Sequence, residues 1–379
     1  MKFNFDEIIN RKNTDSFKWD FFNDPDTTIP MPVADMDFRS AEPILQALRE
    51  VTEHGVFGYS IVPDELKDIL QERLERLYGW KTEKEWQVWI PGLVPAITAT
   101  CRAIGEIGDA VITSIPVYHP FHLAPSYVGK KLQTFPLIEV ENRWTFDFEA
   151  LEKAIMEDTK LFMLCNPYNP AGTVFTRTEL EKLVEICQRH NLIICSDEIH
   201  CDLILDENKK HIPIASLSQV AENMTITLLA PSKTFNIAGL GCSVAIIPNL
   251  ELRQKFNAAK DGFFPPLPRH SMVAAMAAYR DCEDWRVQLI DYLRANHDYM
   301  FQELNGYKGL KLFPLEATYL AWIDARETNI EDIQERILKA GVRLMDGKTF
   351  MGEGFLRLNF ACPKSVLVEA VKRIKMALL

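Results

Sequence analysis

The sequence predicts an α/β fold in which helices cover both faces of a largely parallel β-sheet. From Trp86 to about residue 250, short β-rich runs alternate with stretches of helical periodicity, and this alternation is typical of strands joined by helical crossovers. After Gly309 the pattern restarts with fewer and shorter elements. The second pattern predicts a smaller α+β unit at the C-terminal end.

The composition is that of an ordinary soluble globular protein. The chain has 379 residues, of which 47% are hydrophobic and 25% charged, enough for two domains with a large core. Its formal net charge is -11 and its Lys and Arg residues are not clustered, which argues against a nucleic-acid-binding surface. The stretch MKFNFDEIINRKNTDSFKW lacks the apolar core of a signal segment, and no apolar run approaches about 20 residues. We therefore expect a cytoplasmic protein that binds neither nucleic acid nor membrane.

The eight cysteines occur singly, with no CxxC pair and no accompanying histidine spacing. Most of them lie in apolar runs. This pattern favours small buried hydrophobic residues in a reducing compartment over disulfides or a zinc site. We expect no metal.

The N-terminal part of the chain predicts an arm followed by two helices. Residues 1–40 show little periodicity and contain three prolines, so we expect an irregular arm that lies over the rest of the protein. Ser40 is predicted to cap a first helix, and Asp64 to open a second that ends at Gly79. Between the helices, GVFGYS (Gly55–Ser60) predicts a loop with an aromatic tip.

The remaining elements follow from the alternation. Predicted strands of the large unit are QVWI, DAVITS, KLQTFPL, KLFMLCNP, LIICSDE, MTITLLA and CSVAIIP. Helices are predicted between several of them, and a long helical region ends near residue 305. The smaller unit is predicted from KLFPLEATYLAWID, NIEDIQERILKAG, VRLMD, FLRLNFA and PKSVLVEAVKRIKMALL. The predicted division is an arm (1–40), a large domain (41–285) and a small domain (286–379), with a helical hinge over 281–304.

Lys233 is at the centre of the functional prediction. It stands in APSKTFNIAGL, directly after the β-rich run MTITLLA and before Gly239 and Gly241. A lysine at the end of a buried strand is paired, deprotonated or used covalently, and a Schiff base to a carbonyl cofactor is the covalent use. The alternative for a lone Ser-Lys dipeptide is a solvated loop lysine.

Polar groups also follow other predicted strands, where ligands bind in open α/β sheets. The glycine turn PGLV (91–94) enters a helix, whose free amides suit a phosphate. Tyr118 offers an aromatic face, Asn169 in NPYNPAG can donate a hydrogen bond, and Asp197 in SDEIH can pair with a protonated ring nitrogen. The alternatives are ordinary turn chemistry for PGLV, a core aromatic for Tyr118 and a helix cap for Asp197.

Taken together, these motifs resemble the fold-type I, pyridoxal-5'-phosphate-dependent aminotransferase superfamily over nearly the whole chain. The ordered set NPYNPAG, SDEIH and SKTFN carries the resemblance. MPVADMDF (Met31–Phe38) is similar to the N-terminal substrate-side segment of the cystathionine β-lyase-like C–S lyase branch. The resemblance implies an aspartate-aminotransferase-like α/β fold, pyridoxal 5'-phosphate as cofactor, a small sulfur amino acid as substrate, and a homodimer with shared active sites.

The resemblance also implies roles for individual residues. Lys233 would hold the cofactor and then move the substrate α-proton, Asp197 would pair with the pyridinium nitrogen, and Arg357 would bind the substrate carboxylate as a bidentate fork. For Arg357 a surface strand position is the alternative, which its apolar neighbours disfavour. Tyr118 and Asn169 would contact the ring. The phosphate would be bound by the amides of Gly92, Leu93 and Val94 and by the Ser232 hydroxyl. Tyr59 would enter the site from the second subunit. Tyr118 or Tyr59 is the candidate acid for the leaving thiolate.

Three positions depart from the usual aminotransferase pattern. His200 stands where a tyrosine usually reaches the ring oxygen, and Ala230 and Gly241 stand where a serine and an arginine usually bind the phosphate. The histidine and the missing arginine favour the lyase branch. The predicted reaction is α,β-elimination of cystathionine or S-substituted cysteines to pyruvate, ammonia and a thiol. The alternatives are an aminotransferase and a regulatory partner-binding protein with incidental lyase activity.

Overall fold

The computed structural model describes residues 2–379 and contains both predicted units. The helices are α1 (Phe17–Asp20), α2 (Glu42–His54), α3 (Asp64–Tyr78), α4 (Leu93–Ala103), α5 (Pro120–Tyr127), α6 (Phe148–Ala154), α7 (Arg177–Arg189), α8 (Gln219–Met224), α9 (Leu250–Lys260), α10 (Arg269–Asp281), α11 (Glu283–Leu304), α12 (Ile333–Lys339) and α13 (Lys364–Ala377). The strands are β1 (Ile29–Pro30), β2 (Gln87–Ile90), β3 (Ala110–Ile115), β4 (Lys131–Val140), β5 (Arg143–Phe146), β6 (Thr159–Cys165), β7 (Ile193–Asp197), β8 (Thr225–Leu229), β9 (Ser243–Ile246), β10 (Lys311–Leu312), β11 (Leu320–Asp324), β12 (Val342–Arg343), β13 (Met345–Asp346) and β14 (Phe355–Asn359).

The large sheet has eight strands in the order β2-β9-β8-β7-β6-β3-β4-β5. The central pairs from β8 to β4 are parallel, and antiparallel pairs close both edges. The interior strands are buried along most of their length, which explains their near-continuous apolar sequence. Strand order switches at β3, whose neighbours are β4 on one side and β6 on the other. Such a switch point opens a crevice at the carboxyl ends of the strands.

The C-terminal unit is built on a four-stranded antiparallel sheet, β10-β11-β14-β13. The N-terminal arm joins this unit, because β1 pairs in parallel with β12. Helix α11 is unbroken from Glu283 to Leu304 and so runs across the predicted boundary at residues 285 and 286. The domain boundaries remain predictions.

The predicted capping of α2 is wrong. Its N-cap is Ala41, and no side chain caps the helix. Ser40 Oγ donates instead to the carbonyl of Asn236 (3.3 Å), so this serine ties the helix entry to the loop after β8. The predicted end of α3 is confirmed, since Gly79 takes the left-handed conformation (φ 67°) that favours glycine.

The β4–β5 hairpin and α6 were not predicted. The hairpin turns at Glu141 and Asn142, which both have positive φ (51° and 62°). Tight hairpin turns usually contain a glycine that can be recognised in the sequence, but this turn contains none. Helix α6 is capped by Asp147, whose side chain accepts from the amide of Ala150 (2.9 Å).

All eight cysteines are buried and unpaired, as predicted. Over residues 2–379, none of the helices combines the length and apolarity that crossing a membrane requires.

Candidate active site

A cavity of about 230 Å³ lies beyond the carboxyl ends of the parallel strands, at the position expected for an open α/β sheet. It is lined by Phe17, Val33, Ala34, Leu93, Val94, Tyr118, His119, Cys165, Asn169, Asp197, Ile199, His200, Lys233, Met345 and Arg357. Most of the residues predicted from strand ends and motifs therefore share one cavity, although they are spread over more than half of the sequence.

Lys233 follows β8 and is half-buried. Its Nζ donates to the carbonyl oxygen of Ala34 at 2.6 Å. Burial, and after it the positive charge of Arg357, lowers the pKa of Lys233 to about 8. A lysine with such a pKa is partly neutral near physiological pH and can act as a nucleophile or as a base.

Asp197 ends β7 and is buried. Its Oδ1 accepts from the amide of Ile199 at 3.1 Å, and in the described part of the chain no basic side chain forms an ion pair with it. Burial raises the pKa of Asp197 to about 7. A buried carboxylate without a cation partner fits a ligand that brings a positive charge of its own.

Arg357 lies on β14 with only 3% of its surface exposed, so it is not the surface strand residue of the alternative interpretation. One terminal nitrogen donates to Asn169 Oδ1 (3.0 Å) and the other to the carbonyl of Pro32 (2.7 Å). Its buried Nε has no partner among the described residues, and burial lowers the pKa of Arg357 to about 10. This guanidinium is held in place and lacks an anion, as a carboxylate-binding arginine would be.

Tyr118 and Asn169 are adjacent across the switch point, because the amide of Tyr118 donates to the Asn169 carbonyl (3.1 Å). Tyr118 is half-buried in the cavity wall, and burial raises its pKa. The Oδ1 atom of Asn169 is taken by Arg357, and no side chain or carbonyl of residues 2–379 accepts from its Nδ2 amide. That amide is therefore available to a ligand oxygen.

His200 replaces the usual tyrosine with a buried, neutral imidazole. Burial, followed by the charges of Lys233 and Arg357, lowers the pKa of His200 to about 3. Its Nδ1 is buried without a hydrogen-bond partner in the described chain, so this nitrogen is also available to form a hydrogen bond with a ligand.

The first turn of α4 faces the cavity through Leu93 and Val94. Amides at a helix start lack intrahelical partners and lie at the positive end of the dipole, which suits a phosphate. Gly92 and Ser232 neighbour lining residues in sequence but do not line the cavity themselves.

Of the two unusual positions on the phosphate side, Gly241 has a steric explanation and Ala230 does not. Gly241 has φ 52°, and a Cβ there would lie 2.8 Å from the carbonyl oxygen of Pro91. An arginine at this position would require a backbone shift. Ala230 is buried at the end of β8, and nothing in its surroundings explains why alanine is preferred to serine.

Tyr59 is the one predicted site residue that is neither in the cavity lining nor next to a lining residue in sequence. It stands on the loop between α2 and α3 with its side chain fully exposed (101%). Within one chain, the fold does not bring Tyr59 and Lys233 together.

Several lining residues were not predicted. Cys165, Ile199 and His119 directly adjoin recognised positions in the sequence, so the motifs could have indicated them. Phe17 and Met345 have no local signal, because α1 and β13 reach the cavity only through tertiary packing.

Residues 32–38 connect the cavity to both units. From the large unit, Lys233 donates to Ala34, and Asn236 bonds the backbone of Met36 and Phe38. From the C-terminal unit, Arg357 and Asn359 donate to carbonyls of the same segment. This supports the interpretation of MPVADMDF as a wall of the site.

The model of the aminotransferase class I and II family matches residues 31–374, a span that includes every polar residue of the cavity. The chain belongs to this family. Cystathionine β-lyase PatB from Bacillus subtilis (strain 168) is 39% identical over 391 residues, covering 99% of this chain and 100% of that protein.

Solved structures agree with the family assignment. The crystal structure of OvoB superimposes with a TM-score of 0.97 and 42% identity over 99% of each chain. Cystalysin from Treponema denticola, which contains pyridoxal 5'-phosphate, superimposes with a TM-score of 0.95 and 32% identity over 100% of this chain and 99% of that one. The predicted fold class and the resemblance to the C–S lyase branch of the family are confirmed.

Proposed function

We propose that this protein is a pyridoxal-5'-phosphate-dependent C–S β-lyase. It cleaves the Cβ–S bond of S-substituted L-cysteines, cystathionine among them, and releases pyruvate, ammonia and a thiol. The observation that carries the proposal is one cavity with an amine of pKa about 8, a buried carboxylate without a cation and a buried arginine without an anion. The similarity to cystathionine β-lyase PatB supports the reaction class.

The polar groups of the cavity fit this cofactor. Asp197 has no cation of its own and would hold the protonated ring nitrogen. Tyr118 would lie against the ring, and the Asn169 amide would donate to the ring oxygen. The phosphate would lie at the first turn of α4, with the Ser232 hydroxyl beside it, and Lys233 would bind the cofactor carbonyl carbon. When bound, pyridoxal 5'-phosphate supplies an electron-accepting ring that stabilises the negative charge left at Cα.

Arg357 and Lys233 act on the substrate in sequence. Arg357, held by Asn169 and the Pro32 carbonyl, binds the substrate carboxylate and fixes its orientation. Lys233, freed when the substrate amine takes its place, would then take the proton from Cα in its neutral form. The Cβ–S bond breaks with its electron pair on sulfur while the pair left at Cα forms a Cα–Cβ double bond, and the thiolate takes a proton from Tyr118 or from Tyr59 of the partner subunit. Water then converts the released aminoacrylate into pyruvate and ammonia.

The homodimer is part of this proposal. The loop 55–63 exposes four large apolar side chains, and a cluster of that kind marks a protein interface. They are Val56, Phe57, Tyr59 and Ile61. In the dimer a second copy covers this loop, and Tyr59 enters the cavity of that copy. The eight unpaired thiols accord with a cytoplasmic location.

The test is pyruvate release from an S-alkyl cysteine with no 2-keto acid present. A lyase releases pyruvate steadily, with one thiol for each pyruvate, and Lys233→Ala releases none. An aminotransferase would give product only up to the enzyme concentration and would resume after addition of 2-oxoglutarate. That second result would replace the lyase with the aminotransferase alternative.

A further inference from the structure

Apolar side chains line the cavity beside its polar groups. Five of them form what we call the apolar side of the lining: Phe17, Val33, Val94, Ile199 and Met345. Resting on the proposed lyase function, we propose that this side is a subsite for the sulfur substituent, that Phe17 is its main contact, and that the preferred substrates carry an apolar, best an aromatic, group on sulfur.

The charges of the lining support an apolar substituent. Among the lining residues, Lys233 and Arg357 are the only lysine and arginine, and the proposed mechanism uses both. The substituent of cystathionine ends in an ammonium and a carboxylate. Without ion partners, moving these charges out of water is costly, whereas an aromatic substituent gains by leaving water.

Besides Lys233, Arg11 is the only lysine or arginine among residues 2–379 that lines the adjoining cavity, and its charge is already balanced. This second cavity, of about 560 Å³, shares Phe17 and Lys233 with the first. The Arg11 guanidinium bonds Asp35 at 2.8 Å and Asp37 at 2.7 Å. Lys18 also pairs with Asp37, at 2.7 Å. Two cations therefore meet two carboxylates, and no positive charge is left for a distal substrate carboxylate.

Phe17 is exposed but firmly placed. It keeps 56% of its surface accessible and stacks on Phe21 with ring centroids 4.4 Å apart. The next two residues anchor α1, because the Lys18 ammonium and the Trp19 indole N–H both donate to Asp37, at 2.7 and 2.9 Å. A rigid aromatic surface at the mouth of a cavity binds a ring with little loss of side-chain entropy.

The loop proposed to enter from the second subunit would extend the same surface. Residues 55–63 read GVFGYSIVP and contain no charged side chain. If this loop adds to the cavity of the partner, it adds aromatic and aliphatic groups and leaves the charge balance unchanged.

The experiment compares substrates on the complete holoenzyme. We expect kcat/KM for S-benzyl-L-cysteine to exceed the values for S-methyl-L-cysteine and L-cystathionine. Phe17→Ala should lower the benzyl-to-methyl ratio of kcat/KM by about tenfold, since an apolar pocket discriminates by about that factor, and Phe17→Tyr should largely keep the ratio. Phe263→Ala is the matched control, because Phe263 is 62% exposed and lines neither cavity.

The outcomes separate this inference from the proposed function. Steady pyruvate release from S-methyl-L-cysteine, with cystathionine preferred to the benzyl substrate or with an unchanged ratio in Phe17→Ala, would overturn the apolar subsite and leave the lyase intact. No pyruvate from any of the three substrates would overturn both.

Discussion

The amine of Lys233 should lose its proton at a much lower pH than an ordinary lysine does. Its pKa is lowered from 10.5 to about 8. At pH 7 about one tenth of an amine of pKa 8 is neutral, against about three ten-thousandths of an amine of pKa 10.5, so the cavity increases the neutral, reactive fraction about 300-fold. Because burial is the larger cause and the charge of Arg357 the second, replacing Arg357 by methionine should raise this pKa.

The assay is competitive acetylation of the cofactor-free protein over pH 6 to 11, read for each lysine by peptide mass spectrometry. The midpoint for Lys233 should lie near pH 8 and move upward in Arg357→Met. Lys153, with 80% of its side chain exposed, is the internal reference, and Arg326→Met is the control for losing an exposed arginine. Only midpoints are compared, so limited access of the reagent does not affect the result. If the midpoints of Lys233 and Lys153 coincide, the cavity does not activate this amine.

Three other predictions concern single side chains. Asp197→Asn should keep the cofactor's absorbance but lower kcat at least about 100-fold, or about 2.7 kcal/mol, because the ring nitrogen loses its ion pair; an unchanged kcat would remove Asp197 from the mechanism. Tyr59→Ala and Lys233→Ala, each nearly inactive, should regain activity when mixed, since some heterodimers have one intact site; subunit exchange seen by mass without recovery would exclude a shared site. Asp37→Asn leaves the buried Lys18 with only its longer ion pair to Asp35 (3.8 Å) and should lower the free energy of unfolding in urea by about 3–5 kcal/mol, whereas loss of less than about 1 kcal/mol would contradict the buried pair. Burial alone would raise the pKa of Asp37, but its cation partners lower it below 3.8, so the stability due to this pair is present above pH 4 and is lost as the pH falls further.

The central sheet could be predicted because its strands are buried on both faces. For that reason β6 contains the apolar run LFMLC, and β8 (TITLL) has only threonines among its apolar residues. The polar residues that follow such strands lie at the ligand-binding edge. This rule pointed to Tyr118, Asn169, Asp197 and Lys233. The resemblance to the family then gave these residues their roles and added His200.

Other features depend on contacts that a local pattern does not contain. The β4–β5 hairpin turns without a glycine, so its turn had no signal. Ser40 has the residue type of a helix cap, but the loop after β8 competes for its hydroxyl through Asn236. Phe17 reaches the cavity because Lys18 and Trp19 bind a carboxylate almost 20 residues away. Only the folded chain shows that pairing.

The position of Arg357 connects substrate binding to the basicity of Lys233. Before substrate arrives, the unpaired guanidinium helps to lower the pKa of Lys233, which favours the neutral amine needed for attack on a carbonyl carbon. When a substrate carboxylate binds Arg357, its charge is balanced and this contribution falls away. The pKa of Lys233 should then rise, and a stronger base removes the Cα proton more readily. The same arginine would thus favour the nucleophile in the free enzyme and the base in the complex.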